Sequence, residues 1–308
     1  MPDFPIVDSH VHLWDPGHFR VEWLDKNERL NKRFALDEYR AHVERSEPLT
    51  GIAGGEHGEP GAGLQVKAMV YLEVDLARDY RLLEAEWVAD QAQQDGRVKG
   101  IVASAPIEYG QQVRAFLEAL VTVSPLVKGV RRLIQQEPDP NFCLQPRFLD
   151  GLRLLPEFGL SFDIGAMYVQ MDAVVEMVRR CPEVQFILDH LGKPNVRGKQ
   201  PEPWRSQISE LASLPNVVCK ISGITTEADA HWTIGDIAPY VEHCLTSFGE
   251  DRVVYGGDWP VVLNGASYKR WAETLDTITA SWSPQAKRKL WNENANRFYR
   301  LEDDAAAD

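Results

Sequence analysis

Three histidines occupy positions from which they can act together. His10 and His12 are separated by one residue, and side chains two apart on an extended strand point to the same side. Two imidazoles on one side can hold a metal ion or polarise a carbonyl oxygen. His190 follows another apolar run and adds a third ring. A single histidine at a strand end is usually a hydrogen-bonded structural residue, but the three together favour a functional site.

Asp258 is part of the sequence GGDWP at residues 256–260. The two glycines permit close backbone approach, and a carboxylate that faces water or the imidazoles can act as a general base. Asp is also a good helix N-cap, so a structural role is the alternative. We favour the catalytic role, because the Trp-Pro pair that follows makes a cap less attractive.

These residues need a scaffold that brings distant segments together. Eight short apolar runs alternate with helical patterns, at residues 4–8, 67–72, 98–103, 127–131, 160–164, 184–189, 216–221 and 252–255. Apolar strands that alternate with helices are typical of a parallel sheet buried on both faces. Eight repeats predict an α/β fold of the (β/α)8 TIM-barrel type. The alternative is an open doubly wound sheet, but no GxGxxG follows the first strand, which weakens its dinucleotide-binding form.

A barrel collects the polar residues at one end. Active-site side chains of such barrels lie at the carboxyl ends of the strands. Glu73 follows strand two, Arg131 ends strand four, and Asp189 and His190 end strand six. Together with the first-strand histidine pair and the last-strand aspartate, they form the predicted site.

The predicted helices begin and end at ordinary signals. Residues 79–94 carry apolar side chains at three- and four-residue spacing, with Gly96 as the expected C-cap. Pro146 opens a helix, Pro182 follows the end of one, and Ser283 with Pro284 has the chemistry of an N-cap and first helical residue.

The first connection is longer than the others. It contains one helical stretch, residues 37–44, and then the glycine-rich segment 51–63, which we predict to be a flexible insertion. An insertion after strand one rises from the catalytic face, so a lid and a tolerated surface loop both remain open. Its His57 is expected to be solvated. Residues 1–308 are expected to form a single domain, with 302–308 as a disordered tail.

Composition excludes several classes of protein. The net charge of −13, from 33 Lys and Arg against 46 Asp and Glu, argues against nucleic acid and anionic membranes as partners. The 4 cysteines are scattered, which fits no zinc knuckle or disulfide framework and predicts reduced thiols. No apolar run approaches the ~20 residues of a membrane span, and the N-terminus has no secretory signal pattern. We therefore expect a cytoplasmic enzyme and leave open whether it forms a homo-oligomer.

Five segments of the chain resemble a known family. They are VDSHVHLWDP at 7–16, GVR at 129–131, ILDHLGKP at 187–194, YGGDWP at 255–260 and NENANRFY at 292–299. They are similar to the amidohydrolase-related family of the amidohydrolase superfamily. The branch that the chain most resembles contains the L-fuconolactone and L-rhamnonolactone hydrolases and the pyrone-dicarboxylate lactonase. HxH alone is a weak motif, but the ordered set at barrel spacing is specific.

The resemblance implies a metal site that this chain matches only in part. Superfamily members with a metal use the first-strand histidine pair and the last-strand aspartate, with a fifth-strand histidine and often a carboxylated lysine on strand four. His10, His12 and Asp258 match, but strand four offers Arg131 and strand five has no histidine. This departure argues against a binuclear site. It leaves a mononuclear site of His10, His12 and Asp258, with Zn²⁺ or another divalent ion that we expect not to be required.

The resemblance also implies hydrolysis of a sugar lactone by direct attack of water. In that mechanism Asp258 takes a proton from the water and returns it to the leaving ring oxygen. The oxyanion is stabilised by His10, His12 or His190, aided by Arg131 or a weakly held metal. No GxSxG nucleophile elbow is present, so no acyl-enzyme is expected.

Aromatic and acidic residues at the predicted loop ends are the candidates for substrate binding. They are Trp14, Glu73, Tyr168 and Trp259, and a packing role is an equal alternative for each. The acidic net charge ranks a neutral sugar lactone above pyrone dicarboxylate. The competing functions are a metal-dependent decarboxylase of the same superfamily, which product mass distinguishes, and a non-catalytic sugar-binding protein.

Overall fold

The computed structural model describes residues 1–44 and 64–301. Within these ranges eight parallel strands form one sheet in chain order. They are β1 (Ile6–Val11), β2 (Val66–Leu72), β3 (Val98–Ser104), β4 (Val127–Arg131), β5 (Ser161–Ile164), β6 (Phe186–Leu188), β7 (Val217–Ile221) and β8 (Val253–Tyr255). Val11 forms a parallel bridge with Trp259, just after β8. The sheet therefore curls into a nearly closed barrel, and the predicted (β/α)8 fold is confirmed.

A helix lies in every connection between consecutive strands. The helices are α1 (Leu36–Glu44), α2 (Arg81–Gln94), α3 (Arg114–Val123), α4 (Pro146–Leu152), α5 (Met171–Arg180), α6 (Trp204–Ala212), α7 (Ile224–Glu227) and α8 (Ile234–Phe248), and α9 (Tyr268–Ile278), α10 (Pro284–Arg288) and α11 (Asn294–Tyr299) follow β8. None of the helices in the described ranges has the length and apolar character of a membrane span.

The inside of the barrel is layered. Tyr71 on β2 points outward, since its hydroxyl donates to Glu84 on α2, so its neighbours Val70 and Leu72 point inward. The inner side chains form a buried apolar cluster with the last helix: Val7, Val70, Leu72, Val102, Ile187, Val254, Ala295, Tyr299 and Leu301. This layer fills the lower part of the barrel and leaves the carboxyl ends of the strands for polar side chains.

All eight predicted strands are present, with small differences at their ends. β1 continues to Val11 and does not end at Asp8, because the main chain beyond Asp8 bonds to the segment that follows β8. The N–H of Asp258 donates to the carbonyl of His10 at 2.8 Å, and the N–H of His12 donates to the carbonyl of Trp259 at 2.7 Å.

The helix boundaries also follow the predictions, with one correction. α1 and α2 end at the predicted residues and begin within two residues of the predicted starts. α4 begins at Pro146, and the hydroxyl of Ser283 caps α10 by accepting from the N–H of Ala286. Gly96 is not the C-cap of α2, because the helix ends at Gln94 and Asp95 occupies the cap in an extended conformation. The insertion 51–63 with His57 and the tail 302–308 lie outside the described residues.

Asp8 ties the two ends of the sheet together. One carboxylate oxygen accepts from the main-chain N–H groups of His10, at 3.1 Å, and Gly257, at 2.7 Å. The other accepts from the hydroxyls of Tyr39 on α1, at 3.0 Å, and Tyr268 on α9, at 2.7 Å. One buried side chain thus joins β1, the segment after β8 and two helices.

Replacing Asp8 should weaken the closure of the barrel. Asp8→Ala leaves four buried donors without their acceptor, and each unsatisfied group costs about 1–3 kcal/mol. We expect a free energy of unfolding at least about 3 kcal/mol lower, measured by urea denaturation. Asp90→Ala, at an exposed position on α2, should stay within about 0.5 kcal/mol of the wild type. Equal urea midpoints for Asp8→Ala and the wild type would contradict this role of Asp8.

Candidate active site

Four side chains meet at the carboxyl ends of β1, β6 and β8. Asp258 Oδ1 lies 3.6 Å from Nε2 of His10, 3.6 Å from Nε2 of His12 and 3.9 Å from Nε2 of His190. All four residues are buried. The structure therefore brings together the histidine pair, the third histidine and the last-strand aspartate.

The proton of His12 can be located from its hydrogen bond. Nδ1 lies 2.9 Å from the carbonyl oxygen of Leu72. Because a carbonyl oxygen only accepts, Nδ1 carries a proton, and in the neutral tautomer with this proton Nε2 carries a lone pair. This Nε2 lies 3.1 Å from Nε2 of His10. His12 therefore presents an acceptor to the centre of the site.

His190 is held in a left-handed turn. Residues 190–193 all have positive φ, with 54° at His190 and 56° at Leu191. The ring places Nδ1 at 2.9 Å from Oγ of Ser222 on the segment after β7. Gly223 also has positive φ, and a Cβ there would lie 2.3 Å from Nδ1 of His190. Glycine at 223 is therefore needed for the ring to occupy its place.

Asp258 keeps one oxygen free for chemistry. Its φ is 54°, a conformation that costs a non-glycine residue about 1–3 kcal/mol and is often found at functional sites. Oδ2 is buried and has no hydrogen-bond partner among the described residues. Burial raises the pKa of Asp258, but His190, His12 and Lys193 outweigh it and hold the pKa below its ordinary value. The carboxylate is ionised at neutral pH.

His10 and His190 are neutral at neutral pH, because burial lowers the pKa of each ring. Burial lowers the pKa of His190 to about 4, against the opposing charges of Asp258 and Asp189. Burial and the positive charge of Lys220 lower the pKa of His10 well below its ordinary value, although Asp189 acts in the opposite direction. Neutral imidazoles can donate a hydrogen bond from one nitrogen and offer a lone pair from the other.

Arg131 lies at the site, but two acidic residues already hold it. Its Nε donates to Glu73 Oε1 at 2.6 Å, one terminal nitrogen donates to Asp189 Oδ2 at 3.1 Å, and the other donates to the Glu73 carbonyl at 2.6 Å. Burial lowers the pKa of Arg131, but these carboxylates raise it further, so that the guanidinium stays charged. Its positive charge is already neutralised within the protein. Arg131 is therefore less able to attract a substrate anion than the sequence suggests.

Asp189 also connects Arg131 to a lysine buried inside the barrel. Lys220 on β7 is fully buried. Its Nζ lies 2.8 Å from Asp163 Oδ2 and 2.9 Å from Asp189 Oδ1, and the hydroxyl of Tyr299 also donates to Asp163 Oδ2 at 2.6 Å. Burial raises the pKa of Asp163 to about 6, with Lys220 opposing. We refer to Glu73, Arg131, Asp163, Asp189 and Lys220 as the ion network.

Sequence reasoning missed the central members of this network. Lys220 and Asp163 are single charged residues within apolar strands, and a charge that breaks such a strand is a usable signal, since isolated charges are almost never buried unless paired. The sequence does not reveal that the two residues face each other, because 57 positions separate them along the chain.

A cavity of about 180 Å³ opens above the four central residues. Of the residues predicted to form the site, it is lined by His12, Glu73, Arg131, His190 and Asp258. Its other walls come from loops that follow β1, β2, β4, β5, β6, β7 and β8, and they contribute Trp23, Val74, Asp75, Leu133, Gln135, Gln136, Gly165, Lys193, Thr226 and Val261. His10 lies directly beneath this cavity, against Asp258.

Three predicted substrate-binding residues do not line this cavity. Trp14 is buried, and its Nε1 donates to the carbonyls of Leu30 and Lys32. Trp259 is fully buried and packs edge-on against Phe34 and Tyr39. Tyr168 is half-buried at the start of the short helical turn before α5. Trp14 and Trp259 therefore have the packing role that was the alternative to substrate binding, because their rings anchor the connection after β1.

Lys193 was not among the predicted site residues, although it lies in the left-handed turn after His190. Its ammonium group makes no ion pair or hydrogen bond within the described ranges, and its charge lowers the pKa of Asp258 and of His190. The side-chain amide of Gln135 likewise has no hydrogen-bond partner there, whereas its main-chain N–H donates to the carbonyl of Gly165. Both groups are available to a ligand in the cavity.

The donor set fits a divalent cation. Ligand atoms of His10, His190 and Asp258 all lie within 4.8 Å of one another, and the lone pair of His12 Nε2 faces the same point. Imidazole nitrogen and carboxylate oxygen are the donors that Zn²⁺ prefers. Buried carboxyl groups also outnumber buried cations around the site, with Asp8, Asp258 and the three carboxyl groups of the ion network against Arg131 and Lys220. A cation would relieve that imbalance.

The family model described as Amidohydrolase matches residues 7–301. The chain belongs to the amidohydrolase family. The match covers the barrel from β1 to the last helix, including every residue of the site, and it confirms the family suggested by the five sequence segments.

Sequence relatives of this amidohydrolase include named lactonases. It is 28% identical over 315 residues to an L-fucono-1,5-lactonase of Burkholderia multivorans, with 98% of both chains covered. It is 24% identical over 338 residues to an L-rhamnono-gamma-lactonase of Scheffersomyces stipitis, with 98% of this chain and 100% of the relative covered. A solved amidohydrolase of Burkholderia multivorans with bound zinc superposes with a TM-score of 0.82 at 25% identity, covering 97% of this chain and 100% of that chain. The amidohydrolase is thus similar to hydrolases of cyclic esters.

Gly223 gives the first test of the site. In Gly223→Ala the new methyl group would occupy the place of the His190 ring, so we expect kcat/KM for lactone hydrolysis to fall about 100-fold. Gly235→Ala on α8 is the matched control, because its Cβ would meet only Thr233 Oγ1 at 3.6 Å. It should remain within about twofold of the wild type. A folded Gly223→Ala enzyme with wild-type kcat/KM would show that the position of His190 is unimportant.

Glu84 on α2 holds the loop after β2 that forms one cavity wall. Its Oε1 accepts from the N–H of Val74 and the hydroxyl of Tyr71, both at 2.8 Å. Burial and the nearby charge of Glu73 raise the pKa of Glu84 from 4.5 to about 8. The folded protein therefore keeps a proton here that the unfolded chain releases, and the free energy of unfolding falls as pH rises between 4.5 and about 8.

Glu84→Gln should remove this dependence. Measured by urea denaturation, the stability of Glu84→Gln relative to the wild type should increase from pH 5 to pH 9. The exposed Glu86 on the same helix supplies the control Glu86→Gln, whose stability relative to the wild type should not change with pH. A constant difference between Glu84→Gln and the wild type would show that Glu84 has no raised pKa.

Proposed function

We propose that this amidohydrolase hydrolyses a neutral sugar lactone of the L-fucono- or L-rhamnonolactone type to the sugar acid. The observation that carries the proposal is the central constellation: an ionised Asp258 with a free buried oxygen, surrounded by three imidazoles, at the base of a cavity. Relatives named as lactonases over 98% of this chain support the same class of substrate.

In the proposed mechanism Asp258 accepts a proton from the attacking water. Its Oδ2 offers a lone pair that no described protein donor uses, and its carboxylate is charged at neutral pH. Because its pKa is held low, the protonated form gives the proton up readily to the ring oxygen that leaves. One residue thus acts first as general base and then as general acid.

Positive charge and N–H donors near Asp258 stabilise the oxyanion in this mechanism. Lys193 brings an unpaired ammonium to the cavity, and Arg131 and the neutral His190 lie on its wall. Donors that are fixed before the reaction act strongly in a site shielded from water. We assign the main part to Lys193, because Glu73 and Asp189 already neutralise Arg131.

The charge of the cavity favours a neutral substrate. Glu73, Asp75 and Asp258 face Arg131 and Lys193 across it, so a dicarboxylate would meet more negative than positive charge. Uncharged hydroxyls suit the free polar groups better, since Gln135, Lys193 and Asp75 can donate to or accept from them. The ring of Trp23 on the same wall offers an apolar face to a sugar ring.

A divalent ion would be held by His10, His12, His190 and Asp258. When bound, it would supply Lewis acidity toward a carbonyl oxygen. We propose that it is not required, because Lys193, Arg131 and the imidazoles already supply charge and hydrogen bonds to a carbonyl that is more reactive than that of an amide.

The substrate is tested by a screen of aldonolactones with a pH indicator. Release of acid from L-fucono- or L-rhamnonolactones, with no turnover of 2-pyrone-4,6-dicarboxylate, supports the proposal, and product mass should show the addition of one water. Loss of carbon dioxide from a substrate would instead indicate a decarboxylase. Acid release by the dicarboxylate alone would contradict the neutral substrate.

Replacing the proposed base separates chemistry from binding. Asp258→Asn keeps the shape but cannot take a proton, so kcat should fall by about 10²–10⁴ with little change in KM. Asp90→Asn on the surface of α2 should leave both constants unchanged. A near-wild-type kcat for Asp258→Asn would exclude it as the base.

Removing the metal tests the proposal that hydrolysis does not require a divalent ion. Enzyme treated with a chelator and shown by elemental analysis to be free of metal should keep most of its kcat. Complete loss of turnover that Zn²⁺ or Mn²⁺ restores would overturn this part of the proposal and leave the substrate assignment intact.

A further inference from the structure

The carboxylate of Asp75 is open to a ligand in the cavity. Asp75 follows β2 and lines the cavity wall. Within the described ranges, neither of its carboxylate oxygens takes part in a hydrogen bond or an ion pair. An ionised carboxylate has two oxygens that accept hydrogen bonds and none that donates. The group therefore offers two acceptors to a molecule that fills the cavity.

The main chain at Asp75 is held in an unfavourable conformation. Its φ of 55° lies in the left-handed region, which few residues with a Cβ adopt. The N–H of Asp75 donates to Oε2 of Glu73 at 2.8 Å, and Oε1 of the same carboxylate accepts from Arg131 at 2.6 Å. Strained residues persist only where their surroundings enforce them, and they are concentrated at functional sites. The ion network thus fixes the direction in which the side chain of Asp75 leaves the backbone.

An aromatic ring is fixed beside this turn. The N–H of Val74 donates to Glu84 at 2.8 Å, and the carbonyl of Val74 accepts from Nε1 of Trp23 at 2.9 Å. The indole of Trp23 and the carboxylate of Asp75 therefore belong to one wall of the cavity. Such a pair suits a sugar, since the C–H groups of the sugar can pack on the ring while its hydroxyls donate to the carboxylate.

Asp75 lies across the cavity from the proposed oxyanion donors. It follows β2, whereas His190 and Lys193 follow β6, and in an eight-stranded barrel in chain order these two strands face each other across the axis. A lactone whose carbonyl group faces Lys193 therefore turns its opposite side toward Asp75. In a sugar lactone, the carbons on that side carry hydroxyls.

We propose that Asp75 is a specificity-determining residue that binds two hydroxyls on neighbouring carbons of the sugar lactone. Each carboxylate oxygen accepts from one hydroxyl, as a carboxylate does with two donors side by side. Uncharged donors suit this place because Glu73, two residues earlier, is also acidic. The inference rests on the proposed function, since it names the part of the lactone that the same cavity recognises.

Asp75→Gly separates substrate binding from the shape of the turn. Glycine adopts positive φ without strain, so this variant keeps the turn and loses the carboxylate. For L-fucono- or L-rhamnonolactone, whichever the wild type hydrolyses faster, kcat/KM should fall about 10–100-fold, mainly through KM. For a lactone of the same ring size without hydroxyls, δ-valerolactone or γ-butyrolactone, kcat/KM should not change.

Two results of this comparison would overturn the inference. If Asp75 served only to shape the turn, Asp75→Gly would equal the wild type on both lactones. An equal loss on both lactones would place the effect in the reaction and not in the recognition of hydroxyls. A wild type that hydrolyses only the hydroxylated lactone supports the inference, provided that Asp75→Gly loses this activity.

A second variant and a control narrow the interpretation. Asp75→Asn keeps the size of the side chain and leaves one acceptor oxygen, so its loss on the hydroxylated lactone should be smaller than that of Asp75→Gly. Asp79→Asn changes an exposed aspartate of the same loop and should leave kcat/KM for both lactones unchanged. A larger loss in Asp75→Asn than in Asp75→Gly would contradict the role of the two acceptors.

Sugar binding decides the role of Asp75 even if no lactone is hydrolysed. L-Fucose and L-rhamnose carry ring hydroxyls and have no ester bond, and their binding can be followed by saturation-transfer NMR. The wild type should bind the sugar that matches its substrate, and Asp75→Gly should bind it at least about 10-fold more weakly. Equal binding by both proteins, or no binding of either sugar by the wild type, would overturn the inference. If the wild type binds the sugar through Asp75 but hydrolyses no lactone, the proposed function fails and the assignment of Asp75 stands.

Discussion

The rest of the site depends on one buried carboxylate, Asp189, held between two cations. Arg131 and Lys220 each contact a different oxygen of this group. In an interior without water, an ion that loses its partner costs about 3–5 kcal/mol. Each strand that carries a member of the ion network is therefore constrained in register and direction by the others. β4, β5 and β7, with the segments that follow β2 and β6, are connected in this way, and His10 on β1 faces the same carboxylate.

The ion network explains why one carboxylate oxygen of Asp258 has no hydrogen-bond partner. The ion network contains three carboxyl groups and two cations, so neither cation is left to pair with the aspartate after β8. Asp258 instead faces the imidazoles of His10, His12 and His190. Burial raises its pKa, but His190, His12 and Lys193 hold the pKa below its ordinary value. A carboxylate that is buried, ionised and incompletely bonded is a group prepared to accept a proton or to hold a cation. The same charge imbalance makes the cavity a poor place for an anion.

The sequence predicts the strands and the strand-end residues of this protein better than its contacts between residues far apart in the chain. The eight strands follow from local apolar patterns, and the positions of His10, His12, His190 and Asp258 follow from the rule that strand ends meet at one face. The roles of Trp14 and Trp259 did not follow, because an aromatic ring suits a sugar and a core equally well, and only the fold shows that both rings pack inside. The contact of Lys220 with Asp163 could not be predicted from the sequence for another reason. It depends on which residues of distant strands lie at the same level of the barrel.

Rigid and strained parts of the site are separated in the fold. The ion network lies on strands and at their ends, where backbone hydrogen bonds and packing restrain it. The strained backbone lies in the loops above, where Asp75, His190 and Asp258 have φ values of 55°, 54° and 54°. Such conformations persist only where the surroundings enforce them, and here Ser222, Gly223 and the closure by Asp8 do so. Asp75, Gln135 and Lys193 belong to these loops and not to the ion network, so the residues of the cavity wall can vary while the ion network keeps its contacts with the strands below.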